Sequence, residues 1–151
     1  MKLLLKRDDV KPDRPDNFSQ KPLWWAAGHA HDGVVKLLLG REDVSSDRPD
    51  NNGKTPLFWA ARNGRDGIVK LLLKWEDVKP DRPGNCGQTP LSLAAGNGRD
   101  VIVKLLLEQE DVNPDKPDND GKIPLSWAAR NGRDGGVELL KARIPATPNP
   151  V

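Results

Sequence analysis

Histidine and cysteine are the side chains with which this 151-residue chain could bind a metal or attack a substrate, and they are few. His29 and His31 form one cluster of metal-ligand type. On a helix, side chains two positions apart point in about opposite directions, and no third ligand follows at a fitting spacing. Cys86 has no histidine at a spacing that suits a catalytic dyad. The sequence therefore predicts neither a metal site nor nucleophilic catalysis.

The acidic segment Asp118-Asn119-Asp120-Gly121 has some likeness to a calcium-binding loop. If Gly121 is the turn glycine of such a loop, Lys116 falls at the first ligand position and Trp127 at the closing position, which requires Glu. We therefore expect a hairpin turn here. No phosphate-binding glycine loop can be assembled either, so the sequence predicts a protein that is not an enzyme and holds no cofactor.

The composition predicts a chain without a strongly charged face. Hydrophobic residues make up 36% of it, and 24 Lys and Arg stand against 22 Asp and Glu, for a net charge of +2. The signs alternate along the sequence, so we expect no nucleic-acid partner. The apolar run in Met1–Arg7 is too short for a signal peptide or a membrane span, and a single cysteine is typical of a reducing compartment. These features predict an intracellular, cytoplasmic protein without membrane contact.

One short pattern returns four times at a spacing of 34 residues. Its copies are Lys21–Ala27, Thr55–Ala61, Thr89–Ala95 and Ile123–Ala129. A fixed period of this kind predicts an array of stacked units, which builds an extended surface and only rarely carries catalytic groups.

Local chemistry predicts the elements of one unit, residues 50–83. Gly53 marks a turn, and Thr55 is expected to cap a first helix that begins at the following proline. Gly64 is expected to end this helix in a left-handed conformation. Asp66 is then expected to cap a second helix, whose dense apolar residues predict packing on more than one side. A proline-rich loop completes the unit.

This unit resembles the ankyrin repeat. The resemblance rests on Asp50-x-x-Gly53-x-Thr55-Pro56-Leu57-x-x-Ala60-Ala61-x-x-Gly64 and on Val69-x-Leu71-Leu72-Leu73-x-x-x-Asp77-Val78. It implies an all-α ankyrin-repeat solenoid of helix-turn-helix units joined by hairpin-like loops. The loop 111–121 is similar to loops of ankyrin arrays at the ends of large multidomain fungal proteins.

The chain departs from the family in two ways. Its unit of 34 residues is longer than the usual length of about 33. It also lacks the histidine that the family favours after Thr-Pro-Leu, where hydrogen bonds form within and between units. The residues at that position are Trp24, Phe58, Ser92 and Ser126. We expect packing to replace that polar network, or the network to be lost.

The register divides the chain into a leading partial repeat and four full units. Residues 1–15 correspond to a second helix and loop, and the units are 16–49, 50–83, 84–117 and 118–151. We expect the outer units to be weaker. Ala30 replaces the left-handed glycine of the first unit; Gly135, Gly136 and Lys141 change the second helix of the last unit, which ends in a proline-rich tail. The partial repeat is either part of a longer array or a minimal N-terminal lid.

The resemblance implies that a partner binds across the hairpin tips and the exposed side of the first helices. On this chain, those positions are Asn17, Phe18, Gln20, Gly28, His29, Asn51, Asn52, Lys54, Arg62, Asn63, Asn85, Cys86, Gln88, Gly96, Asn97, Asn119, Asp120, Lys122, Arg130 and Asn131. Trp75, near the end of a second helix, is added because its counterparts are polar. We expect the binding energy to concentrate in Phe18, Arg62, Arg130 and Trp75. For the asparagines, favourable turn chemistry is the competing interpretation.

Two further patterns are interpreted as structural. Trp25, Trp59 and Trp127 share one repeat position, with Leu93 in the remaining unit, and we expect the tryptophans to pack in the core between helices. The loop pairs should stack as a charge ladder that keeps the loops solvated and in register. These pairs are Asp13-Arg14, Asp47-Arg48, Asp81-Arg82 and Asp115-Lys116.

Together these patterns favour a non-catalytic protein–protein interaction module, expected to be a monomeric segment of a larger scaffold or receptor with a protein partner. The alternative is a structural spacer or a self-associating element. Near-identical units and an unpaired leading helix would suit end-to-end stacking.

Overall fold

A computed structural model of the chain describes residues 13–15 and 21–143. Within these ranges there are eight α-helices and no β-strand. They are α1 (Pro22–Gly28), α2 (Asp32–Leu39), α3 (Pro56–Asn63), α4 (Asp66–Leu72), α5 (Pro90–Gly96), α6 (Asp100–Leu107), α7 (Pro124–Arg130) and α8 (Asp134–Ala142). Odd-numbered helices contact the next odd-numbered helix, and even-numbered helices the next even-numbered one. This arrangement in two layers confirms the predicted all-α solenoid.

Some of the sequence predictions concern residues that are not described. Of the leading partial repeat, only residues 13–15 fall within the described ranges. Phe18, Gln20 and the proline-rich tail from residue 144 lie outside them.

The first helix of each unit begins at a proline, as predicted, but only the inner units have a side-chain cap. Thr55 Oγ1 accepts the Phe58 N–H at 3.2 Å. Thr89 and Ser92 form a reciprocal capping box, with Ser92 N–H to Thr89 Oγ1 at 3.1 Å and Thr89 N–H to Ser92 Oγ at 2.9 Å. Lys21 and Ile123 make no such bond in the outer units. A threonine cap stabilises a helix by about 1 kcal/mol, so the N-terminal ends of α1 and α7 are less stable than those of α3 and α5.

The predicted cap on the second helix is wrong. Asp66 is the first residue of α4, and Arg65 is the N-cap, with no side-chain hydrogen bond. Arg65 N–H bonds back to Ala60 O at 2.9 Å, and its own carbonyl accepts Val69 N–H at 2.9 Å. The turn is therefore closed by backbone groups, and the carboxylate in the first helical turn acts on the helix dipole instead.

The interface between units is built from small and apolar residues. Ala60 and Ala61 of α3 are fully buried, and so are Ala94 and Ala95 of α5. Side chains of this size let helices of successive units approach closely, and the buried residues of the second layer pack against them. The prediction that second helices pack on more than one side is confirmed by Ile68, Val69 and Leu72, all at 0% exposure.

Packing does replace the family's histidine in two units. Trp24 is 4% exposed and Phe58 is 3% exposed. The Trp24 indole donates to Arg48 O at 2.9 Å, so its polar atom is satisfied. Ser92 is buried in the capping box, whereas Ser126 is exposed.

The charge ladder forms, and it runs between successive loops. Arg82 Nη1 lies 3.3 Å from Asp47 Oδ2, and Lys116 Nζ lies 3.4 Å from Asp81 Oδ2. Arg143 pairs in the same way with Asp115. Burial raises the pKa of the Asp47 carboxyl, although a backbone hydrogen bond from Lys79 and the charge of Arg82 oppose the rise. These charges therefore tie the loops together.

Ala30 adopts the left-handed conformation predicted for it, with φ of 62°, and it is the one non-glycine residue with positive φ in the described ranges. We expect Ala30→Gly to raise the melting temperature, because it removes about 1 kcal/mol of backbone strain. Thermal unfolding followed by circular dichroism measures the change.

Gly132→Ala is the matched control, since Gly132 lies in the corresponding turn of the last unit with φ of +65° and a Cβ there meets nothing within 4 Å. It should lower the melting temperature by a similar amount through the backbone alone. An unchanged melting temperature for Ala30→Gly would contradict the strain at this turn.

We expect stability to be graded along the array, with amides of residues 134–143 exchanging fastest among the helical ones. Glycine lowers helix stability by about 1 kcal/mol relative to alanine, and Gly135 and Gly136 are the second and third residues of α8. Hydrogen exchange measured by mass spectrometry or NMR compares these amides with those of α6.

Gly136→Ala should slow the exchange of α8, because its Cβ would contact Ala128 Cβ at an ordinary 3.6 Å. Position 135 is a less direct test, since a Cβ there requires the exposed carboxylate of Asp100 to move. Equal protection of α6 and α8 in the natural sequence would refute the grading.

Candidate binding groove

Residues from the predicted binding surface of three units line one groove of about 520 Å³. The predicted residues in its lining are Asn52, Lys54, Arg62, Asn85, Cys86, Gln88, Gly96, Asn97 and Asn131. Phe58, Gly84, Ser92, Leu93 and Trp127 complete it. The hairpin tips form one side and the first helices form the floor, so the groove crosses the units.

The hairpin tips are joined by asparagine amides. Asn85 Nδ2 donates to Asn51 O at 3.1 Å, and Asn119 Nδ2 donates to Asn85 O at 2.8 Å. Asn85 N–H also donates to Asn52 O at 2.9 Å. Gly53 is needed for this approach, because a Cβ there would lie 2.6 Å from Asn85 Oδ1. The tips therefore form a continuous, ordered edge.

Two of the predicted binding asparagines also join units. Asn63 Nδ2 donates to Gly28 O at 3.0 Å, and Asn131 Nδ2 donates to Gly96 O at 2.8 Å. Asn97 differs, because its amide bonds to Leu93 O of its own helix at 2.8 Å and the side chain is exposed. The structure thus gives Asn63 and Asn131 a role within the fold, and their contact with a partner stays a prediction.

The prediction that three tryptophans pack in the core is wrong. Trp25 is 55% exposed, and Trp59 and Trp127 are half-buried. The reason is that this position lies on the groove side of the first helix, next to the buried alanines but facing outward. The true core aromatics are Trp24 and Phe58, one residue earlier.

Each half-buried tryptophan lies against two cationic groups. Lys54 Nζ is 4.9 Å from the Trp59 ring centroid and Arg62 Cζ is 5.6 Å from it. In the last unit, Lys122 Nζ lies 5.0 Å from the Trp127 ring centroid and Arg130 Cζ lies 5.8 Å from it. Cations at such distances are attracted to the electron-rich face of the ring. We call Trp59 with Lys54 and Arg62 the repeat-2 clamp, and Trp127 with Lys122 and Arg130 the repeat-4 clamp.

The two histidines belong to an aromatic stack on the first unit. The His29 ring stacks on Trp25 at 4.2 Å, and the His31 ring lies 6.5 Å from His29 and nearly parallel to it. The expectation that the rings point in opposite directions is wrong, because both residues lie in the turn after α1. Trp25, His29 and Trp59 also border a second pocket of about 280 Å³.

Trp75 is 42% exposed, as its polar counterparts predicted. It follows α4 and does not belong to the lining of the groove. Its contact with a partner remains a prediction for the loop edge.

Asp118 shapes the last hairpin by accepting three hydrogen bonds. Its Oδ1 accepts Asp120 N–H at 3.0 Å and Lys122 N–H at 2.9 Å, and its Oδ2 accepts Trp127 Nε1–H at 2.9 Å. Burial by itself raises the pKa of this carboxyl, but the hydrogen bonds from Lys122, Trp127 and Asp120 bring it below its ordinary value. The segment is a hairpin turn, as predicted.

In the described part of the chain, no group of three or more His, Cys, Asp or Glu is placed to hold a metal ion. No helix in that part has the length and apolar character needed to cross a bilayer.

We expect Asp118→Asn to destabilise the fold by about 1–2 kcal/mol at pH 7, because the amide loses the acceptor for the Trp127 indole. The pKa of Asp118 is lower in the folded chain, so the carboxylate stabilises the fold above its unfolded pKa of about 3.9. This stabilisation is lost as the pH falls through the folded pKa. Urea unfolding at several pH values measures it.

Asp50→Asn is the control, since Asp50 Oδ1 accepts the Asn52 and Lys54 N–H groups, both at 2.9 Å. Asp50 receives no indole bond within the described residues, so its variant should lose less stability. A difference between Asp118→Asn and the natural chain that persists unchanged at pH 2 would contradict the role of the charge.

Comparison with known proteins agrees with this architecture. The model of a family described as ankyrin repeats (3 copies) matches residues 1–82 and 69–149, which together span nearly the whole chain. No curated protein matches it.

Proposed function

The chain belongs to the ankyrin repeat family, and from this premise we propose that it binds a protein partner in the groove formed by its hairpin tips and first helices. Ankyrin repeats are generally protein–protein interaction modules, and their fold is typically non-catalytic. We extend both properties to this chain as a monomeric binding module that is not an enzyme.

The observation that carries the proposal is the groove itself. It crosses three units, and its floor contains the half-buried ring of Trp127 and the half-buried side chain of Leu93. The polar residues of the hairpin tips border this floor. Exposed or half-exposed aromatic residues bordered by polar groups are the usual anchors of protein interfaces. A groove of this length suits an extended segment of a partner.

We also propose that the module is a segment of a larger scaffold or receptor, built from the units 16–49, 50–83, 84–117 and 118–151. A groove that binds a partner without catalysis has a biological effect when it brings that partner close to another domain of the same protein. An exposed free thiol at Cys86 favours a reducing, cytoplasmic location.

Cys86 provides a direct test because it is the single cysteine, is exposed and lies in the groove lining. A peptide selected from a random display library on the purified chain is added at saturation before alkylation. We expect the bound peptide to slow modification of Cys86 by about tenfold or more. Prior attachment of a bulky maleimide should weaken peptide binding by a similar factor, which corresponds to about 1.4 kcal/mol.

The matched control moves the thiol to the other layer. In Cys86→Ser/Lys104→Cys, the thiol is on the exposed side of α6 and should react at the same rate with and without peptide. Protection of position 104 but not of Cys86 would place the binding face elsewhere. Protection of Cys86 that rises with protein concentration in the absence of peptide would favour the self-associating alternative.

A further inference from the structure

The groove surface alternates with a period of two units. In the sequence, one repeat position holds Gln20, Lys54, Gln88 and Lys122, and the position eight residues later holds Gly28, Arg62, Gly96 and Arg130. Units 2 and 4 thus carry both cations, and units 1 and 3 carry neither. The alternation has twice the 34-residue spacing that defines the fold.

Packing explains why a unit with glycine at this position is followed by a unit with tryptophan. A Cβ on Gly28 would lie 3.6 Å from Trp59 Cβ, and a Cβ on Gly96 would lie 3.4 Å from Trp127 Cβ. Glycine therefore makes room for the tryptophan of the following unit. Leu93, a smaller residue than tryptophan, follows the unit that carries Arg62.

Within the described ranges the four clamp cations form no ion pair, although the Asp118 carboxylate acts electrostatically on Lys122. Among the described residues, no carboxylate lies within ion-pair distance of Lys54, Arg62, Lys122 or Arg130. The groove lining contains Lys54 and Arg62 but no Asp or Glu. Arg82 and Lys116 on the loop face are each paired with an aspartate. Arg82 and Lys116 are thus neutralised by aspartates of the preceding loops, whereas the clamp cations form no such pair among the described residues.

We propose that the partner segment carries two acidic clusters, one for each clamp, joined by a neutral stretch that crosses the third unit. This inference rests on the proposed function and specifies the chemistry of the partner. Packed helices lie about 8–10 Å apart, so clamps two units apart are separated by about 16–20 Å. An extended chain rises about 3.3 Å per residue, so the acidic clusters lie about five or six residues apart.

An acidic peptide fits this pattern better than a nucleic acid. Nucleic acids carry a charge at every nucleotide, which would place phosphates over the part of the groove lined by the third unit, where no lining residue is charged. That unit offers Gln88, Leu93 and Asn97, which suit a neutral polar or apolar stretch. Carboxylates at the two ends can bond to the lysine and arginine N–H groups that the rings leave exposed.

The test uses fluorescein-labelled synthetic peptides and the full chain at about 0.15 M salt, where long-range attraction between exposed charges is screened. One peptide has two Glu-Glu pairs separated by four neutral residues, which places the centres of the pairs about six residues apart. Its comparisons replace one pair by Gln-Gln or place all four glutamates together. Fluorescence anisotropy should show that the separated pairs bind about tenfold tighter than either comparison.

Charge-removing variants link this binding to the clamps. Lys54→Gln and Lys122→Gln copy the residue of the neighbouring units, and each should weaken binding of the separated-pair peptide by about fivefold or more. Lys70→Gln and Lys104→Gln remove the same charge from exposed positions of the second helices and should leave it unchanged. Circular dichroism confirms that each variant is folded.

The outcomes separate this inference from the proposed function. If library peptides protect Cys86 while the separated glutamates confer no advantage, the groove is a binding site and the acidic partner is wrong. Equal affinity for separated and adjacent glutamates overturns the two-clamp arrangement. Equally tight, clamp-dependent binding of single-stranded oligothymidylate overturns the assignment of a peptide partner.

Discussion

Burial shared between neighbouring units is the constraint on which the rest of the structure depends. A pair of helices of seven to nine residues cannot enclose its own apolar surface, so each pair is stable only against the next. The buried alanine pairs of the first helices set how closely units stack. The tip amides, the loop ion pairs and the groove all require that spacing to be kept.

Close stacking also gives the loop edge and the groove edge of the molecule different charge environments. Along the loop edge, acidic and basic groups of successive units satisfy one another, as Asp47 and Arg82 do. Along the groove edge, the backbone is satisfied by asparagine amides while the cations lie against aromatic rings. Ion pairs join successive units along the loop edge, whereas along the groove edge Lys54, Arg62, Lys122 and Arg130 form no ion pair within the described residues.

Local chemistry was enough to predict much of the fold. Gly64 and Ala30 are left-handed because a helix must reverse direction within a few residues, and the proline starts follow from the missing N–H at a position that needs none. Asp66 was misplaced because several residues near a helix start compete for the cap, and backbone geometry decides among them. The family matched over nearly the whole chain agrees with the motif that carried the resemblance.

The orientation of side chains was harder to predict. Trp24 and Trp25 are adjacent and chemically identical, yet one is buried and the other is 55% exposed. A helix only seven residues long gives no clear apolar periodicity from which to choose between them. The clamps were missed for a related reason, since aligning all units emphasises what they share. Comparing alternate units would have shown that Lys54 and Lys122 occur with Arg62 and Arg130.

The contact between Gly28 and Trp59 has a consequence for how such a chain can grow or be rebuilt. Deleting unit 2 would place Gly28 beside Leu93 and leave a void, and deleting unit 3 would place Arg62 beside Trp127 and cause a steric overlap beside the groove. Deleting or duplicating units 2 and 3 together keeps glycine before tryptophan and arginine before leucine at every junction. The modular element for recombination is therefore the pair, and arrays lengthened in this way would gain one cationic clamp with each pair added.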